Sequence, residues 1–189
     1  MKNGLKILAL SVALSATTVM ADESLVSIEG AFGSIDVDKE NTISGQATND
    51  NASLAGAGLK IGAQSNDYRL FLTANYYDSS DDTYNYVATY GVELDYLIHP
   101  SNSFDIFLGL NGGIANIELI DEQNLKRTSS DPYIGGAAGI NMHMSQTIDI
   151  ELGARMLFMD ISNTRNNVKY TYNSIVAGYA SVIFKFQID

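Results

Sequence analysis

Cysteine is absent from all 189 residues. This excludes a disulfide framework, a thiolate metal site and lipid attachment through an N-terminal Cys. A fold without such staples must hold by packing and backbone pairing. Basic charge is scarce as well: 11 Lys and Arg stand against 22 Asp and Glu, a formal net charge of −11. Nucleic acid selects clustered Lys and Arg, so the chain carries no footprint for it. Long apolar runs are missing beyond the N-terminus. The longest charge-free candidates, IFLGLNGGIANI and SIVAGYASVIF, reach about half the roughly 20 residues a spanning helix needs. There is no phosphate loop, zinc-ligand spacing or nucleotide fingerprint, so no cofactor and no metal centre is expected.

What is present begins with MKNGLKILALSVALSATTVMA. Lys2 and Lys6 precede an apolar run from Ile7 to Leu14, and Val19-Met20-Ala21 supplies small residues ahead of Asp22. That layout predicts a cleaved secretory signal over residues 1–21. Residues 22–189 are then one exported domain, of formal charge −13 once Lys2 and Lys6 are removed.

Eight segments of that domain alternate with period two: roughly 24–34, 53–64, 68–78, 84–98, 104–117, 132–144, 148–159 and 172–188. Period two with Val, Ile, Tyr, Phe and Gly enrichment predicts strands. Tight polar turns (SND at 65–67, PSNS at 100–103, SQT at 145–147) alternate with longer acidic or amide-rich connections. The pattern predicts an all-β, eight-stranded antiparallel up-and-down β-barrel.

Each strand has an uncharged apolar face, as in Val92, Leu94 and Tyr96, and a polar one, as in Glu93 and Asp95. The polar faces together hold Glu29, Lys60, Arg69, Glu93, Asp95, Asp105, Asp149, Glu151, Arg155 and Lys185. Alternation alone leaves two barrels open. A soluble lipocalin-like ligand binder puts the apolar face inside, and a transmembrane barrel puts it outside. Three features favour the transmembrane barrel. Aromatics sort to the strand ends, with Tyr76, Tyr77, Tyr84, Tyr86, Tyr133, Phe158, Tyr170 and Tyr172 toward the long connections and Tyr68, Tyr96, Phe104, Phe184 and Phe186 toward the short turns. Two such girdles suit the two membrane interfaces. The polar face carries charges of both signs, which can pair in a narrow lumen. Finally, the chain ends in YASVIFKFQID, with Phe184, Phe186 and Ile188 on one face.

On that terminal strand and the eight-strand pattern, the chain resembles the small eight-stranded outer-membrane β-barrel family. That group includes outer membrane protein X, the opacity proteins and the barrel domain of outer membrane protein A. The likeness covers the whole mature chain, although the last residue is Asp189 where the family typically closes on an aromatic. The resemblance implies a transmembrane barrel in the outer membrane of a Gram-negative cell, its terminal strand read by the barrel-assembly machinery and both termini periplasmic.

An eight-stranded lumen is just wide enough for side chains to fill it. Glu29, Lys60, Arg69, Glu93, Asp95, Asp105, Glu151, Arg155 and Lys185 are therefore expected as a lumen charge network, either a structural plug or the lining of a narrow, weakly cation-selective pore. Histidine offers only His99, in a polar turn, and His143. His143-Met144-Ser145 matches the His-x-Ser spacing of the outer-membrane lipid A deacylase, but it falls at the short-turn end and lacks an orienting acid, so no enzyme is expected. The long connections hold Asp36, Asp38, Glu40, Asp50, Asp78, Asp81, Asp82, Glu118, Asp121, Glu122 and Asp131. Hard oxygen ligands of this kind could share divalent cations with lipopolysaccharide phosphates, and Arg165 and Lys169 could meet those phosphates directly. The reading is a monomeric, non-catalytic integral envelope protein. Its expected partners are outer-membrane lipid and lipopolysaccharide, and its surface loops would serve envelope integrity or adhesion.

Overall fold

The computed structural model describes residues 22–79, 84–120, 126–165 and 168–187. The expected signal peptide, 1–21, lies outside the described residues, as do Ile188 and Asp189. Eight strands follow one another: β1 (Glu23–Asn41), β2 (Ala47–Gln64), β3 (Tyr68–Ser79), β4 (Tyr84–Ser101), β5 (Phe104–Ile120), β6 (Lys126–His143), β7 (Ile148–Arg165) and β8 (Val168–Gln187). Each pairs antiparallel with the next, and β1 pairs antiparallel with β8, closing the barrel without a free edge. Closure satisfies every wall strand on both sides, which a chain surrounded by lipid requires.

The period-two alternation resolves as inverted polarity. Leu94 is 49% exposed and Leu152 50%, whereas Glu93 is 1% exposed and Glu151 0%. Of the apolar face expected from the sequence, every described residue is exposed or half-exposed except Ala63 and Ala88. A ligand-binding barrel of the soluble kind needs the opposite arrangement, so that alternative is set aside. Leu, Ile, Val and Phe on the outside remain favourable only where the surroundings are hydrocarbon.

The strands are longer than their apolar bands. An 18-residue strand extends roughly 60 Å, and tilted by roughly 40° it rises about 45 Å, well beyond the roughly 30 Å of hydrocarbon. The excess lies at the end opposite the termini. Residues expected as long connections are therefore wall: 35–40 and 47–52 pair with each other in β1 and β2, and 126–131 pair with β5. The first connection shrinks to residues 42–46. There the Asn41 side-chain oxygen accepts the N–H groups of Ile43 and Ser44 at 3.0 and 3.1 Å. Gly45, at φ +68°, donates its N–H to the Asn41 carbonyl. Glycine reaches that left-handed conformation without a Cβ clash, and Asn at the turn start holds it.

Above the apolar band the pleat changes content. Ile35, Val37, Leu54, Val87, Ile117, Leu157, Met159, Ile161 and Ile175 point inward and are buried as one cluster, with Tyr77, Tyr133 and Tyr172 among them. The residues between them, such as Asp36, Asp38, Asn116, Asp160 and Ser162, stand on the outer face. This corrects the aromatic girdle. Tyr77, Tyr133 and Tyr172 belong to an internal core and not to the lipid face, because they fall on the inward phase of the pleat. Tyr76 and Phe158 are exposed on the outside at that end, and Tyr68, Tyr96, Phe184 and Phe186 at the other.

Candidate functional site in the barrel lumen

The lumen is a stack of three layers. Nearest the polar-walled end lies the apolar cluster just described. Below it, β1, β2, β3, β4 and β7 send charged side chains to a common centre. Lys60 reaches Glu93 at 2.6 Å, Glu151 at 3.3 Å and Glu29 at 3.5 Å. Arg155 holds both oxygens of Glu29, at 2.7 Å each, in a two-pronged pair and donates to the Tyr77 hydroxyl at 3.3 Å. Arg69 bridges Glu151 at 2.6 Å and Asp95 at 2.9 Å. All seven groups are buried.

Seven charges out of water are costly unless each is paired and hydrogen-bonded. Here each carboxylate meets at least one base and each base at least two carboxylates. Aromatic rings add to the balance: Lys60 lies 4.7 Å and Arg155 4.3 Å from the Tyr179 ring centre, and Arg69 lies 5.2 Å from that of Phe107. Ring faces attract cations most where water is excluded. Space for these side chains comes from glycine. A Cβ on Gly58 would stand 2.1 Å from the Asn75 amide oxygen and 2.6 Å from Glu29 Cγ, and one on Gly153 would meet the Tyr179 ring at 2.6 Å. Close approach of a wall strand to bulky lumen groups is a common use of strand glycine.

The nine lumen charges expected from the sequence thus divide. Glu29, Lys60, Arg69, Glu93, Asp95, Glu151 and Arg155 form the central network, while Asp105 and Lys185 belong to a third layer at the short-turn end. In that layer Lys185 Nζ lies 2.9 Å from Asp149. His99 Nδ1 is 2.7 Å from Asp105 Oδ1, and His143 touches Asp105 at 3.2 Å and Asp149 at 3.1 Å. The Asp105 carboxylate, hydrogen-bonded to His99, raises that ring above the ordinary imidazole range. His99 sits beyond the Tyr68–Tyr96 aromatic pair, outside the apolar band. A cavity of about 690 Å³ opens here, its walls including Asp22, Glu23, Asp67, His99, Asp105, His143 and Lys185.

Reading the sequence did not join these residues. The signal that could have done so is a repeated spacing: His99 and Asp105, then His143 and Asp149, each six positions apart across a tight polar turn. The hydrolase-like spacing at His143 builds no nucleophile. The Ser145 hydroxyl contacts Thr147 Oγ1 at 3.4 Å, both His143 nitrogens face carboxylates, and Glu151 is held by Lys60 and Arg69.

At the other end, Asn49 donates to Asp36 and Asp38 at 2.9 Å each, Asn173 to Asp38 at 2.6 Å, and Lys39 pairs with Asp50 at 2.9 Å. That contact with Lys39 lowers the Asp50 pKa. Asp81, Asp82, Asp121 and Glu122 lie outside the described residues, and the same holds for the side chains of Lys126, Arg127 and Arg165. Among the described residues, no group of three His, Asp or Glu side chains is placed to hold a metal ion.

The family model described as "Outer membrane protein beta-barrel domain" matches residues 7–180. Among solved structures, Neisserial surface protein A (NspA) aligns with a TM-score of 0.63 at 16% identity, covering 86% of this chain and 97% of that one. The outer membrane protein OprG from Pseudomonas aeruginosa aligns with a TM-score of 0.63 at 13% identity, covering 89% and 98%. Outer membrane protein AlkL follows with a TM-score of 0.51 at 10% identity, covering 89% and 92%. At such identities the likeness is one of fold. No curated protein matches the sequence.

Proposed function

The chain belongs to the outer membrane protein beta-barrel domain family and so resides in the outer membrane; from that premise we propose that it is a closed, non-catalytic anchor. Its barrel would hold four polar hairpins above the membrane for contact with lipopolysaccharide and neighbouring surfaces. The observation that supports this is the doubly sealed lumen. A buried ionic network fills the centre, and an apolar core of Leu54, Ile117, Leu157, Tyr172 and their neighbours fills the barrel above it. Ions crossing the barrel would have to displace both.

The wall that rises beyond the hydrocarbon carries its carboxylates outward, at Asp36, Asp38, Asp78 and Asp160. With no protein cage for a metal among the described residues, a divalent cation bound there would complete its oxygen shell with lipid phosphate. The protein would act as a monomer, with its terminal strand presented to the barrel-assembly machinery.

Conduction separates this reading from the narrow-pore alternative. That alternative draws on buried polar groups without protein partners, among them Ser27 Oγ, Ser181 Oγ and Arg69 Nε, which water could solvate. Purified protein in a planar bilayer is expected to give no discrete current steps. Regular single-channel steps, lost on heat denaturation, would replace the anchor by the pore.

A further inference from the structure

Both histidines sit in the layer at the short-turn end, and both are placed between groups that only accept hydrogen bonds. His99 Nδ1 faces Asp105 Oδ1 at 2.7 Å, and its Nε2 faces the Asn66 carbonyl at 2.9 Å, with Asp67 at 3.6 Å. His143 Nε2 faces Asp105 Oδ2 at 3.2 Å, and its Nδ1 faces Asp149 Oδ1 at 3.1 Å. A neutral imidazole has one N–H and one lone pair, so it can satisfy only one of two acceptors. His99, hydrogen-bonded to an acceptor at each nitrogen, therefore calls for a doubly protonated ring.

Charge counting across the central network and this layer points the same way. Glu29, Glu93, Asp95, Asp105, Asp149 and Glu151 stand against Lys60, Arg69, Arg155 and Lys185, six acids to four bases. The excess of carboxylates over bases leaves room for the positive charge of an imidazolium. The other charged groups facing the rings are Lys185 from β8, already on Asp149 at 2.9 Å, Asp67 from the β2–β3 turn, and Asp22 and Glu23 at the cavity rim. None of them supplies the missing positive charge.

We propose that His99 is a proton-operated latch at this mouth of the barrel. Doubly protonated, His99 straps the β2–β3 turn, through the Asn66 carbonyl, to Asp105 on β5. His143 lies beside Asp105 and is hydrogen-bonded to Asp149 on β7. When the His99 ring loses one proton, one of its contacts becomes lone pair against acceptor, the strap on the turn is released and the mouth loses one positive charge. The direction in pH follows from the Asp105 contact that raises His99. A raised imidazole stabilises fully below its unfolded value of about 6.5, and that stabilisation is lost as the pH climbs through the higher folded value.

The test needs no conduction, so it stands or falls apart from the sealed-anchor reading. In the mature chain folded into lipid nanodiscs, ¹⁵N NMR should show the His99 ring doubly protonated at pH 6 and losing one proton on titration toward pH 9. Over the same step, hydrogen exchange at the Ser65 and Leu97 amides, which bond the Tyr68 and Asp67 carbonyls, should rise about tenfold beyond the intrinsic base-catalysed rate, as loss of one charge-assisted bond implies. His99→Gln, which cannot titrate, should remove that step in exchange. A neutral His99 tautomer at pH 6 overturns the latch, as does exchange at Ser65 and Leu97 that follows the intrinsic pH law alone.

Discussion

One set of strands builds two barrels of opposite polarity. In the lower region the exterior reads Ile28, Leu94, Leu152 and Val182 and the interior Glu29, Lys60, Glu93 and Arg155; in the upper region the interior reads Ile35, Ile117, Leu157 and Ile175 and the exterior Asp36, Glu118 and Asp160. Pleat and pairing run through both apart from register shifts at Asp36/Val37, Tyr84/Tyr86, Ile98/Ser101 and Phe158/Ile161. The difference teaches that the backbone does not choose the apolar face. The medium outside does. Where hydrocarbon surrounds the wall, polar groups gain by meeting each other inside; where water surrounds it, the ordinary hydrophobic effect returns and builds a core.

The sharpest way to break the lower region is to remove one base from its network. Lys60→Ala leaves Glu29, Glu93 and Glu151 short of a shared partner, and a loss of about 3–5 kcal/mol is expected. Urea unfolding in lipid vesicles, followed by the gel-mobility shift between folded and heated protein, measures it. In the upper region Leu157→Ala opens a cavity in a buried cluster, for a loss of about 2–5 kcal/mol in the same assay. If Leu157 instead faced lipid, that substitution would cost far less. The two exteriors are then compared by one substituent. Leu152→Arg, placed between the Ile148 and Phe158 ends of the lipid-facing stripe on β7, should cost about 2–4 kcal/mol. Asp160→Arg, exposed on the same strand above the band, should change stability by no more than about 0.5 kcal/mol. Equal costs at 152 and 160 would erase the distinction between the regions.

Strand number, closure and inverted polarity were legible in the sequence because period two records which residues share a face, and mixed charge on one face with none on the other tells which medium lies outside. The upper wall was not legible for the same reason. At Ile35 and Val37, and again at Ile117 and Ile161, the apolar residues move to the other phase of the alternation, so a strand continuing into water looks like a strand ending in a polar loop. Tyr77, Tyr133 and Tyr172 were misplaced because position along a strand fixes a ring's height but not the environment on either side. The central network was anticipated as a set, since all its members share the inward phase. Its partition into pairs depends on tilt and stagger between strands far apart in the chain, which a single sequence does not record. The histidine layer escaped because each ring, taken alone, reads as an ordinary polar residue near a turn.

The two-pronged contact between Glu29 on β1 and Arg155 on β7 spans 126 residues. It forms only when the last strands meet the first, and until then Glu29 has only Lys60 on β2 and Arg155 lacks its two-pronged partner. An open sheet is for that reason a poor resident of the bilayer. Insertion and seam formation must proceed together, so the charges that fill the finished barrel also act as a checkpoint on its assembly.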